Sequence, residues 1–164
     1  MNYIENIFLC LALPYVLTLF FVGKKGRFFL VLITTGMGIC LLSAYVSSFF
    51  MGYYGADAVT SAVEITPVCE EVMKLLPLLL WMLIFAPERE KIPVVALMIA
   101  LGFATFENVC YIVENGAENV TFLLMRGISA GAVHILCGLA EGGGLAYVFY
   151  RRWLAFMGII AVLG

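Results

Sequence analysis

Three ionisable side chains, Glu70, Glu71 and Lys74, lie within five residues of one another inside the apolar run 61–86. In hydrocarbon each such group costs roughly 2.5 to 3.5 kcal/mol even on a lenient insertion scale, so their presence there indicates a functional role. On a helix the lysine follows Glu70 by four residues and Glu71 by three, and it can therefore reach either carboxylate. The spacing leaves open which carboxylate it pairs with.

More polar groups follow on the next two apolar runs: Glu107 on one, Arg126 and His134 on the other. At about 100° per residue, Arg126, His134 and Glu141 fall within one arc of roughly 80°, which predicts a single polar stripe on that helix. We expect Glu141 to hydrogen-bond a neighbouring helix. Beside the stripe lie two pairs of residues at the G-x-x-x-G spacing, which allows helices to approach closely: Gly127 with Gly131, and Gly138 with Gly142.

Carboxylates and a histidine held in an apolar bundle are suited to activating water. Glu70 or Glu71 could act as a general base, while His134 could bind a developing oxyanion or protonate a leaving amine. Alternatively Glu71, Glu107 and His134 could hold a divalent metal such as zinc with an open water position. Hydrolysis of a peptide bond is the expected reaction class, and the choice between glutamic and metal chemistry stays open.

Composition places these groups in a membrane. The chain has 164 residues, 64% of them hydrophobic and 12% charged, and its mean hydropathy is +1.08; these values lie outside the range of soluble domains. The apolar runs lack the strict alternation of barrel strands and therefore predict helices. No basic patch points to nucleic acid, so the expected surroundings are the lipid bilayer.

The apolar runs predict an all-α polytopic membrane helix bundle, a single domain over residues 1–164 with the polar motifs within 66–144. Five full transmembrane helices are expected at about 7–22, 28–52, 61–86, 94–113 and 120–150. A last stretch, 153–164, is too short to cross a core that takes about 20 residues, so we expect the chain to be truncated at its C-terminus. Pro67 and Pro77 are expected to kink the third span and open its backbone.

The basic residues predict the orientation. Seven of the nine lysines and arginines fall in the first loop, in the loop 87–93 or after residue 150, which are alternate loops of the predicted topology. The positive-inside rule puts these loops in the cytoplasm and the N-terminus outside. The two other cations, Lys74 and Arg126, lie within spans. We expect a multi-pass membrane protein.

Three blocks of sequence together resemble the PrsW family of membrane-embedded proteases, which is related to the CAAX-processing and bacteriocin-processing membrane proteases. The blocks match the family's E-E-x-x-K, F-x-x-x-E and histidine motifs in order: Glu70 to Lys74, Phe103 to Glu107, and His134 preceded by Arg126. The resemblance covers about residues 67–144. Leu75 stands where the wider CAAX group has arginine, and Glu107 where it has histidine, which disfavours prenyl-protein processing.

The resemblance implies an intramembrane endopeptidase that cuts membrane-tethered substrates, such as anti-sigma factors, near the extracytoplasmic side. It implies a catalytic set and a supporting set of residues. The catalytic set is Glu70, Glu71, Glu107 and His134, and the supporting set is Lys74, Phe103 and Arg126. The substrate's identity and the oligomeric state stay open.

Each feature also has a structural interpretation. The Glu70, Glu71 and Lys74 cluster could be a salt bridge that fixes helix packing, and Glu107 could simply pair with Arg126. Chains of intramembrane glutamate, histidine and arginine also build proton relays, so a proton-coupled carrier is one alternative function. A non-catalytic membrane scaffold or immunity protein is another.

Overall fold

A computed structural model describes residues 3–116 and 120–148, and every regular element within these ranges is helical. The elements are α1 (Tyr3–Thr18), α2 (Lys24–Tyr54), a short α3 (Ala58–Thr60), a π-helical turn (Ser61–Ile65), α4 (Thr66–Phe85), α5 (Lys91–Asn115) and α6 (Val120–Val148). The all-α prediction is confirmed. The predicted stretch 153–164 lies outside the described residues.

Three of the described helices, α2, α5 and α6, are long and apolar enough to cross a membrane. α1 has 16 residues, about 24 Å of helix against a hydrocarbon core of about 30 Å. α4 has 20 residues, which is long enough, but it carries the three ionisable groups. The prediction of five full spans is therefore not confirmed, and the outside location of the N-terminus stays a prediction.

α5 is the central helix and packs against α2, α4 and α6. One apolar cluster joins the start of α5 to the ends of α4 and α6, and includes Leu78, Ile92 and Leu145. A second cluster, around Phe103 and Phe106, joins α5 to α2 and α1. Together these clusters fix the helices that carry the polar groups around one axis.

α2 and α5 cross at two glycines, where no side chain separates their backbones. A Cβ at Gly36 would lie 2.1 Å from the carbonyl oxygen of Ile99, and one at Gly102 would lie 2.0 Å from that of Ile33. Real Cβ atoms never approach so closely, so glycine is required on both sides of this crossing.

Only one of the two predicted glycine pairs on α6 makes a close helix contact. Cβ atoms at Gly138 and Gly142 would each lie 2.7 Å from α5, against Ala100 and Pro93 respectively. At Gly131 nothing lies within 4 Å. The pair at 138 and 142 therefore sets the α5–α6 distance.

Two short elements precede α4: the helix α3, which Asp57 caps, and the π-helical turn. The Asp57 carboxylate accepts a hydrogen bond of 2.8 Å from the backbone N–H of Thr60, and hydrogen bonds from Thr60 keep the pKa of Asp57 below its usual value. The widened turn ends where the N–H of Thr66 bonds the carbonyl of Ser61, just before Pro67. The predicted irregularity thus occurs beside Pro67, whereas α4 continues unbroken through Pro77.

Candidate functional site

Lys74 joins α4 to α6 at the centre of the site. Its side chain is 2% exposed and its Nζ lies 2.6 Å from Glu71 Oε1. The same Nζ lies 3.0 Å from His134 Nδ1. Of the two carboxylates that the sequence allows, the lysine therefore pairs with Glu71.

His134 joins α6 to α5. Its Nε2 lies 2.6 Å from Glu107 Oε2, and the other oxygen of Glu107 accepts a hydrogen bond of 2.9 Å from Arg126 Nη2. Arg126 also donates to the side-chain carbonyl of Asn108. A continuous chain of polar contacts therefore runs from Glu71 on α4 to Asn108 on α5, and it includes the Glu107–Arg126 pair that the sequence allowed as a structural role.

The contacts of His134 define its tautomer. An ammonium group has only donors, so Lys74 Nζ donates and His134 Nδ1 accepts. The proton of a neutral imidazole is then on Nε2 and points at Glu107 Oε2. Both carboxylate oxygens of Glu107 are consequently occupied by donors, which fixes its orientation.

Two aromatic rings on α5 support these groups. Phe103 is fully buried; its ring centroid lies 5.0 Å from that of His134, and Lys74 Nζ lies 4.8 Å from the same centroid. The Tyr111 ring lies against the Arg126 guanidinium, 4.2 Å away. Because an aromatic face attracts a cation while adding no charge, each ring stabilises its neighbouring cation without competing for the carboxylates.

Glu70 faces a different direction. It lines a partly open cleft of about 320 Å³, together with Glu107 and Arg126. Among the described residues, no ion pair or side-chain hydrogen bond involves the Glu70 carboxylate. The two adjacent glutamates therefore differ in environment: Glu71 is paired with Lys74, and Glu70 borders the cleft.

The cleft also has a wall that the sequence analysis does not single out. α2 contributes Ser43, Ser47 and Ser48 to it. Three serines at this spacing inside an apolar span are the sequence signal that could have drawn attention to this face.

Glu141 is buried on α6, with 4% of its surface exposed. It interacts electrostatically with Glu71 and Lys74, so it faces the neighbouring helix α4, as the stripe on α6 predicts. Glu71 Oε2 and Glu141 Oε1 have no hydrogen-bond partner among the described residues. Around Glu71 and Glu141 there are therefore more hydrogen-bond acceptors than donors.

The residues predicted to hold a metal do not fit one as they are arranged. A ligating histidine offers a nitrogen lone pair to the ion, but the Nδ1 lone pair of His134 faces the Lys74 ammonium and its Nε2 contacts Glu107. Glu71 is itself paired with that ammonium. Within residues 3–116 and 120–148, no three acidic, histidine or cysteine side chains are placed to hold an ion.

The fold and the site define a helical membrane protein with a network of ionisable groups inside the bundle. A family model described as PrsW family intramembrane metalloprotease matches residues 15–164, so the chain belongs to that family. No curated protein and no solved structure matches the chain significantly. Family membership makes the protein a membrane protease.

Proposed function

We propose that the protein hydrolyses a peptide bond of a membrane-tethered protein with Glu70 as the general base. The observation that carries this assignment is the position of Glu70 on the cleft, beside Glu107 and Arg126. A base must reach a water molecule next to the substrate, and Glu71 is less suited because its carboxylate is paired with Lys74 and it does not line the cleft.

In this mechanism Glu70 takes a proton from water while the water oxygen bonds to the carbonyl carbon of the substrate. The carbonyl oxygen becomes an oxyanion, which the Arg126 guanidinium stabilises from the wall of the cleft. Glu70 then returns the proton to the amine nitrogen as the carbon–nitrogen bond breaks. Every step uses side chains that border the cleft.

The remaining predicted residues position this pair. Glu107 holds Arg126 through one oxygen and is itself held by His134 through the other. Lys74 neutralises Glu71 and fixes the histidine ring from behind. His134, predicted from the sequence to stabilise the oxyanion or ligate metal, here acts through Glu107.

The position of the cleft bears on the substrate. It is lined by the second half of α2, the start of α4 and the second half of α5, and so lies at the end of the bundle opposite the basic loop 87–93. With the orientation predicted from charge, this end is extracytoplasmic. The family resemblance then favours a substrate such as an anti-sigma factor, cut near the outer face of a bacterial plasma membrane.

The test is cleavage of a single-span reporter by the purified protein. We expect Glu70→Gln to lower kcat by roughly 10²- to 10⁴-fold, the usual contribution of a positioned general base. Glu64→Gln is the matched control, because this glutamate is exposed on the preceding turn and outside the cleft; it should cleave like the native chain. Glu71→Gln and His134→Ala should fold less stably and also lose activity.

A zinc chelator added to each reaction separates the two chemistries. Activity that survives the chelator supports the glutamic mechanism, and activity lost and restored by added zinc contradicts it. Equal cleavage by native chain and Glu70→Gln would remove Glu70 from the mechanism. No cleavage by any form, with pH-driven flux in sealed vesicles, would favour the carrier function.

A further inference from the structure

The serine wall of the cleft, formed by Ser43, Ser47 and Ser48 of α2, contains one hydroxyl without a partner among the residues that the structure describes. Ser43 donates to the carbonyl of Cys40 at 2.8 Å, and Ser48 to that of Ala44 at 2.8 Å. Such bonds to the preceding turn are the usual arrangement of serine in membrane helices. Ser47, only 6% exposed, has no hydrogen-bond partner among the described residues.

An unpartnered hydroxyl in an apolar interior is costly, because the polar group has left water without gaining a bond. Ser47 borders the same cleft as Glu70. Its hydroxyl can both donate and accept, so the missing partner must be a polar group that enters the cleft.

The cleft measures about 320 Å³ and is partly open. A short extended segment of chain can lie along it.

An extended substrate segment can supply the hydrogen-bond partner that Ser47 lacks. When a membrane helix unwinds, its backbone N–H and C=O groups lose their internal bonds, and in a bilayer these groups must be satisfied by protein. A serine hydroxyl can bond either group.

We propose that Ser47 hydrogen-bonds the backbone of the extended substrate segment next to the cut. This inference rests on the proposed function, since it places the substrate strand against Glu70. The ligand class is a locally unwound peptide segment of a membrane-tethered protein.

The experiment measures binding separately from cleavage. A labelled single-span reporter with two alanines at the cut is titrated, by fluorescence anisotropy in nanodiscs, with the full chain carrying Glu70→Gln. We expect added Ser47→Ala to weaken the Kd roughly 3- to 10-fold, the effect of one lost neutral hydrogen bond. Added Ser47→Leu, which fills the cleft, should abolish binding.

The control is Thr35→Val in the same background. Thr35 lies on α2, is exposed and outside the cleft, and donates to the carbonyl of Val31 at 2.8 Å; losing its hydroxyl should leave the Kd unchanged. Thermal unfolding shows whether Ser47→Leu folds, and if it does not, Ser47→Ala decides the result.

Binding by Ser47→Ala equal to that of Thr35→Val overturns the inference. If the native chain still cuts the reporter in that case, the proposed function stands alone. If binding depends on Ser47 but the native chain cuts nothing, the substrate subsite stands and the hydrolytic function fails.

Discussion

Lys74 is the residue on which the buried charges depend. It lies between Glu71 and His134, with the Phe103 ring nearby, and it is almost completely buried. A charge in this setting is stable only when its partner is present, because the interior offers little solvent to replace it. The same lysine also determines which tautomer His134 adopts.

We therefore expect Lys74→Met to lower the free energy of unfolding by about 3 to 5 kcal/mol, the usual cost of leaving one partner of a buried pair alone. Lys91→Met is the matched control, since Lys91 pairs with Glu88 at 3.0 Å with both side chains exposed. That loss should be at most about 1 kcal/mol. Thermal unfolding in one detergent compares them, and equal shifts would contradict a buried pair at Lys74.

At the scale of helices, the close packing of the bundle depends on particular glycines. The crossing of α2 and α5 brings Gly102 against the backbone of Ile33, and a backbone atom cannot rotate away as a side chain can. On α6, Gly131 has open space around it. Two glycines of similar appearance in the sequence thus have different structural importance.

We expect Gly102→Ala to destabilise the bundle by at least about 1 to 3 kcal/mol, the range for overpacked cores. Gly131→Ala should be neutral or stabilising by up to about 1 kcal/mol, because alanine favours helix more than glycine does. The yield of monodisperse protein and the midpoint of thermal unfolding measure both. Similar behaviour of the two variants would contradict the close crossing.

The sequence predicts which helices carry the site residues, but it does not predict which of their side chains contact one another. Motif order assigned Glu71 to α4, Glu107 to α5 and His134 to α6, because a polar group in an apolar span is conspicuous. The choice of Glu71 over Glu70 as the partner of Lys74 was not predictable, because spacings of three and four residues both allow contact on a helix. The contact of Lys74 with His134 was not predictable either, because the two residues are 60 positions apart in the chain. The contribution of Ser47 depends on how α2 crosses α5, which no local pattern encodes.

At the scale of the whole molecule, the orientation of the chain in the membrane is a prediction that can be tested directly. Charge places the loop 87–93 in the cytoplasm and the turn after α2 outside. An impermeant thiol reagent on intact cells should label Tyr54→Cys, at 68% exposure in the native chain. It should label Glu88→Cys only after permeabilisation, with the native chain as the background. The reverse pattern would invert the topology and put the cleft on the cytoplasmic side.

The glycine crossing of α2 and α5 has a mechanical consequence. With no side chains between the two backbones, the crossing at Gly36 fixes how α2 lies against α5. Ser47 lies 11 residues further along α2, a lever arm of about 16 Å, so a tilt of about 10° moves it by about 3 Å. A substitution at Gly36 that tilts α2 would therefore change the width of the cleft as well as the crossing itself.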